Sequence, residues 1–226
     1  MPSNHPVPAV IYWLTALTAA APVVVVAAVA ATRFGGADLA VTYDLLTWTV
    51  AKGLAWAGLA AALVVTFLAL RDLRGRGVYA LIALVLAVGS VGVFVYQGQR
   101  LAQATPRDVS TNPTEPPSFS RLASVHRGPA PAESATCATA HPIPSQLLSQ
   151  QAVSALVDAG FPVVRATTFE VEAVHEGAWF GFTHDAVVRI RPGRTDVRVA
   201  TRGSRPDGGA ACRLLSKIVA NLDAAR

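Results

Sequence analysis

Lysine is almost missing from this chain. Lys52 and Lys217 are its only lysines, and the other basic residues among 19 are arginines, set against 14 acidic residues for a net charge of +5. The basic residues are dispersed rather than gathered into a run, which argues against nucleic acid as a partner. Catalytic signatures are missing too. There is no G-x-S-x-G, no H-E-x-x-H and no phosphate-cradling glycine loop, so the common hydrolase, zinc-protease and nucleotide-binding readings have no motif to stand on. No cofactor motif is evident. Cysteine occurs twice, at Cys137 and Cys212, enough for one disulfide.

Charge is scarcest where apolar residues are densest. Of the 226 residues 52% are hydrophobic, and the mean hydropathy of +0.42 is high for a soluble protein. The apolar residues crowd the first hundred positions. Ala9–Thr32 carries no Asp, Glu, Lys, Arg or His and is long enough to cross a hydrocarbon core of about 30 Å, with Pro22 near its middle. The preceding MPSNHPVP has no Lys or Arg, and the apolar run is too long for a signal peptide, so a retained span is expected. Trp48–Leu70 and Val78–Tyr96 read as second and third spans. Lys52 snorkels from the second, and Gly53, Ala57 and Ala61 form a small-residue seam on it. Tyr12, Trp13, Trp48, Tyr79 and Tyr96 fall at the expected interfaces.

Between spans two and three lies Arg71–Gly77, RDLRGRG. Its arginines, Arg71, Arg74 and Arg76, favour the cytoplasmic side. The expectation is a multi-pass protein of the cytoplasmic (inner) membrane, N-terminus inside and C-terminal domain outside, with residues 1–97 forming the three-helix membrane region. Residues 98–135, rich in Pro, Ser and Thr, read as an extended linker. Phe119 and Leu122 within it are suited to pack onto a surface.

Residues 136–226 read as a small soluble α+β domain: helix, four-stranded antiparallel sheet, helix, in two layers. Pro144 suits the first turn of the first helix, and Gly160 its stop. Strands follow at Phe161–Thr168 and Phe169–His175, then a hairpin of Ala186–Arg191 and Thr195–Arg202 around Pro192-Gly193-Arg194. Leu214, Leu215, Ile218, Val219 and Leu222 give the last helix its apolar face.

Simple hairpin register puts Arg189, Arg191, Arg198 and Arg202 on one sheet face. That face either binds an anionic headgroup or carbohydrate phosphate, or is solvated and partly neutralised by Glu170, Glu172 and Asp196; the solvated reading is preferred. Trp179-Phe180-Gly181-Phe182 either caps the core or forms a recognition patch in which Trp179 and Phe182 take part. His175, His184 and Asp185, with Ser204 and Asp207 downstream, are the only clustered acid–base candidates. The two histidines are too few and too far apart for a metal site, so none is expected. If the domain lies outside the cytoplasm, a Cys137–Cys212 disulfide is favoured over two buried thiols.

Three blocks occur in order: DVSTNPTEPPSF (Asp108–Phe119), AWFGFTHDAVVRIRP (Ala178–Pro192) and TDVRVATRGSRPDGG (Thr195–Gly209). They resemble the bacterial family called domain of unknown function 1499, some members of which carry a three-span N-terminal half. The sequence departs from that pattern at His184, where a second acidic residue is frequent, and at Pro206-Asp207-Gly208. The resemblance implies no activity. The preferred expectation is a non-enzymatic module of the cell envelope, anchored in the lipid bilayer, that binds an envelope protein, a lipid headgroup or a wall component. The alternative is a hydrolase-like enzyme using the His175/His184/Asp185 region.

Overall fold

The computed structural model describes residues 9–103, 105–126, 135 and 137–225. The chain forms two compact units, Met1–Gln99 and Arg100–Arg226.

Among the described residues three helices are long and apolar enough to cross a membrane. Helix α1 is Ala9–Gly35, with Pro22 inside it. Its 27 residues span about 40 Å, more than a hydrocarbon core requires. Ala40–Ala51 is wound as a π-helix and runs into helix α2, Lys52–Ala69. Threonines support the wider winding: Thr47 Oγ1 donates to the Thr42 carbonyl (2.8 Å) and Thr49 Oγ1 to the Asp44 carbonyl (3.2 Å), each five residues back. Helix α3 is Leu73–Ala102. The Arg71–Gly77 segment is therefore not all loop. Asp72 caps the new helix, its carboxylate accepting the Gly75 amide at 3.1 Å, and Leu73–Gly77 are already helical.

Small residues set the contact between α1 and α2, but of the expected seam Gly53, Ala57 and Ala61 only Ala61 is buried. Gly53 faces open space, whereas a Cβ on Gly58 would meet the Thr18 Cα at 3.2 Å. Ala55, Gly58, Ala61, Ala62 and Val65 form the buried stripe of α2. Tyr12 and Tyr79 meet edge to face, 5.2 Å apart, so α1 and α3 begin at the same level. Trp48 meets Phe94 in the same way at 5.9 Å.

In the second unit the sheet has five antiparallel strands: β1 Asp108–Ser110, β2 Val163–Ala166, β3 Glu170–Glu176, β4 Thr183–Arg191 and β5 Arg194–Thr201, in spatial order β1-β5-β4-β3-β2. The expected count of four misses β1. That strand lies inside the stretch read as linker and pairs with β5, Val109 opposite Val199. It is three residues long, too short for alternation to reveal it. Residues 127–134 of the expected linker lie outside the described residues.

Helices α4 (Ser149–Asp158) and α5 (Ala210–Ala224) cover one face of the sheet. The core between the layers contains Leu156, Phe161, Val171, Val188, Val197, Val199, Leu215, Ile218 and Leu222. Pro144 lies upstream of α4 rather than in its first turn, because Ile143 is held in a bridge to Thr195 of β5. Gly160 ends α4 as expected: with φ at 90° it lets its own amide reach the Val157 carbonyl and the Phe161 amide reach the Leu156 carbonyl, both at 2.9 Å. Cys137 and Cys212 are joined by a disulfide. It ties the segment ahead of α4 to the first turn of α5.

Candidate functional site

Strand alternation sorts the polar residues onto the sheet face opposite the helices. In β4 this places Asp185, Val187, Arg189 and Arg191 there, the register Arg189–Asp196 and Val187–Arg198 adds Asp196 and Arg198 from β5, and Arg202, one residue past the strand, reaches the same face by donating to Asp185. The four arginines share a face, as expected. The middle of the face is not solvated, however, although Arg191 and Arg202 toward its two ends keep 35% and 33% of their side chains exposed. Residues 111–126 lie across it as a strap, and Glu172, Asp185 and Asp196 are fully buried, with Arg198 4% exposed.

Charges on the sheet and backbone amides in the strap explain the covering. The Glu172 carboxylate accepts the amides of Arg121 and Leu122 at 3.0–3.2 Å, and that of Ser120 as well. These are unpaired donors at the start of a 3₁₀ turn, Leu122–Ser124. Phe119 and Leu122 add an apolar contact on Val187 and Ala200. Arg198 grips Asp108 with two donors (2.8 and 2.5 Å), gives a third to the Pro117 carbonyl (3.0 Å), and lies over the Phe119 ring at 5.1 Å. This arginine holds the strap down.

At one end of the face, Asp185 receives Arg202 on both oxygens at 2.8 Å and His126 Nε2 at 2.7 Å. Burial pushes the Asp185 carboxyl up, but the hydrogen bonds from His126 and Arg202 outweigh it and hold the group below the usual carboxylate range. The same bond raises the Arg202 guanidinium. An imidazole oriented by a buried carboxylate is an arrangement used in general-base catalysis. Here both Asp185 oxygens also serve Arg202, and Phe119 stacks on the His126 ring at 4.4 Å. The arrangement joins strap to sheet.

At the other end, the β4–β5 hairpin turns through Pro192-Gly193. Gly193 has φ at 71°, which the third position of such a turn requires. Around this turn Arg189, Arg191 and Arg194 converge on two carboxylates. Asp196 is buried and takes Arg189 (3.1 Å) and Arg194 (2.7 Å). Glu115, from the strap, is 62% exposed in its side chain; Arg191 donates to both its oxygens at 2.9 and 2.5 Å, and Arg189 lies 3.6 Å away. Arg191, joined by the charges of Arg189 and Arg194, holds the Glu115 carboxyl below its usual range.

His175, His184 and Asp185 do not come together. Asp185 is on the strap face, while His184 lies on the helix face opposite His175, their rings 6.1 Å apart. Asp207 has a structural position. Its carboxylate accepts the amides of Gly209 and Ala211, both at 2.9 Å, and so caps α5. His184 is buried with neither ring nitrogen hydrogen-bonded, and Asp207 is 3.9 Å away. Among the described residues no group of three His, Cys, Asp or Glu side chains is placed to hold a metal. In the aromatic turn, Phe180 is buried, Phe182 is half-buried and Trp179 stands 64% exposed.

Three residues at this face were not singled out from the sequence: Asp108, Glu115 and His126. All lie in the Pro-rich stretch, where no periodicity points at the sheet. Their polar character within a segment also carrying Phe119 and Leu122 was the available signal.

The three blocks that carry the family resemblance are the strap, β4, and β5 with the α5 cap, and the fold places them side by side. The sequence model of the family described as protein of unknown function (DUF1499) matches residues 108–222. No curated protein gives a match, and no solved structure does. The matched range starts at β1 rather than at the first domain helix, takes in the strap and the whole sheet, and covers more than half of the 226 residues; the chain belongs to the DUF1499 family.

Proposed function

We propose that the chain is a multi-pass protein of the bacterial cytoplasmic membrane whose α+β domain lies outside the cytoplasm and binds an anionic group of an envelope partner, without catalysing a reaction. The observation that carries the binding reading is the hairpin tip. Three guanidinium groups, on Arg189, Arg191 and Arg194, gather there around one solvent-exposed carboxylate. Planar guanidinium forks match carboxylate and phosphate oxygens. Arg198 and Arg202, by contrast, are spent on Asp108 and Asp185, so the binding contribution expected of the four arginines narrows to Arg189 and Arg191, joined by Arg194. Exposed Trp179 offers a separate apolar contact for a partner.

The location rests on two features. The Cys137–Cys212 disulfide suits an oxidising compartment. Arg71, Arg74 and Arg76 between the second and third helices favour the cytoplasm for that turn, which leaves the C-terminal unit on the other side after α3.

Reporter topology tests the location. Alkaline phosphatase, and separately a fluorescent protein that matures only in the cytoplasm, are fused after Gln103 and after Arg226. Active phosphatase with no fluorescence is expected at both sites; the reverse pattern overturns the proposal. Binding is tested with immobilised envelope fractions and full-length protein in detergent. Retention should fall in Arg191→Ala and Arg194→Ala, and unchanged retention in both removes the hairpin from the site.

A further inference from the structure

We infer that Glu115 is an internal stand-in for the ligand, and that the hairpin tip takes a phosphomonoester dianion, which displaces the Glu115 carboxylate. The inference rests on the anion-binding reading above and specifies its ligand class and its regulation.

Charge counting around the tip leads there. Arg189, Arg191 and Arg194 bring three positive charges; buried Asp196 cancels one and Glu115 a second. The nearby Glu170 is engaged elsewhere, with Arg165 at 3.1 Å and the Ser120 hydroxyl at 2.6 Å. With Glu115 withdrawn, the tip carries two uncompensated positive charges, which match a dianion. A carboxylate offers two oxygens, and both of those on Glu115 go to Arg191, leaving Arg189 at 3.6 Å. A phosphate group bearing three free oxygens engages three guanidinium groups at once. Arg189 Nη2 is already given to the Glu115 main-chain carbonyl (2.6 Å) and to Asp196 (3.1 Å), so it meets the ligand through Nη1, the nitrogen that lies 3.6 Å from the Glu115 carboxylate.

Displacement is physically easy on the strap side. Glu115 is 62% exposed, so its carboxylate exchanges the ion pair for water at small cost. The rest of the strap stays anchored by Glu172 and Arg198, which hold it from Pro117 to Leu122. Ligand and Glu115 thus compete for the same donors, and removing the Glu115 charge raises affinity.

The experiment is a phosphorus NMR line-width titration of full-length protein in zwitterionic detergent. The probes are inorganic phosphate, dihexanoyl phosphatidic acid (a monoester) and dihexanoyl phosphatidylglycerol (a diester). Wild type should bind both monoester-class probes, Glu115→Gln should bind them about fivefold or more tightly, and Arg191→Ala should lose binding. Glu115 is exposed, so its substitution leaves the fold intact. Tighter binding of phosphatidic acid than of phosphate assigns the ligand to a lipid headgroup, and equal binding assigns it to a free phosphate. Diester binding as tight as monoester binding overturns the dianion assignment. Equal affinity in wild type and Glu115→Gln, still lost in Arg191→Ala, overturns the competition but keeps the anion site. No binding by either protein, or binding that survives Arg191→Ala, overturns the site itself.

Discussion

His126 Nε2 and Asp185 Oδ2 are 2.7 Å apart although 59 positions separate them in the chain. One closes the strap and the other is buried in β4. The pair, with Arg202 on the same carboxylate, explains how a charged residue sits fully buried in a sheet: each oxygen has a donor, and each donor is tied to a different segment.

Replacing Asp185 with Asn should therefore lower stability by about 2–4 kcal/mol, since three hydrogen bonds to a charged group are weakened or lost and Arg202 loses its counter-charge. Urea titration of the full-length protein in detergent measures this. The Asp185 carboxyl is held below its ordinary range, so its contribution is complete above an unfolded value of about 3.9. It is lost as pH falls from there through the lower folded value. Wild type should lose its advantage over Asp185→Asn in that acid window, and a gap that persists through it counts against the charge explanation.

His184 should make the domain sensitive to pH in a higher window. Burial pushes its imidazole below the ordinary value; the Asp207 charge partly offsets this and His175 adds to it. The neutral form is thus the folded form. As pH falls below about 6.5 the unfolded chain takes up the proton first, so stability declines until the lower folded value is reached. Thermal melting between pH 7.5 and 5 should show that decline in wild type and a flatter profile in His184→Gln. Parallel profiles would sink the explanation.

Glu172→Gln should loosen the strap without unfolding the sheet. The amides of Ser120, Arg121 and Leu122 would face a neutral acceptor with one oxygen in place of a carboxylate. Limited trypsinolysis should then cut after Arg121 several times faster, as mass spectrometry of the fragments would reveal. Unchanged cleavage means that the other contacts of the strap, those of Arg198, Phe119 and the His126–Asp185 pair, hold it without Glu172.

The disulfide closes a sequence separation of 75 residues. In the chain-entropy picture a loop of that length stabilises by roughly 4 kcal/mol. The double substitution Cys137→Ser, Cys212→Ser should lower the urea midpoint accordingly. In intact cells, both wild-type thiols should resist alkylation until a reductant is added. Labelling without reductant would place the domain in a reducing compartment.

Legibility varied with the length of the signal. The apolar runs and the hairpin of β4 and β5 were readable because periodicity extends over many residues: Val188 and Ile190 point to the helices, Arg189 and Arg191 away from them. Gly160 was readable from its chemistry alone. Strand β1 was not, since three residues carry no period and its neighbours are rich in proline. The covered state of the arginine face was equally hidden. Alternation shows that two residues share a face but says nothing about what lies on it.

By itself, the sequence determined three long apolar helices followed by a two-layer α+β unit, and which arginines share a sheet face. These are consequences of local periodicity and of the aversion of apolar side chains to water. Only the tertiary structure decided that Asp108, Glu115 and His126 return to that face, that Glu172 anchors the strap, and that Asp185 and His184 part company across the sheet. Such pairings depend on which distant segments meet. Long-range contacts between single polar residues, unlike hydrophobic stripes, leave no repeating mark along the chain.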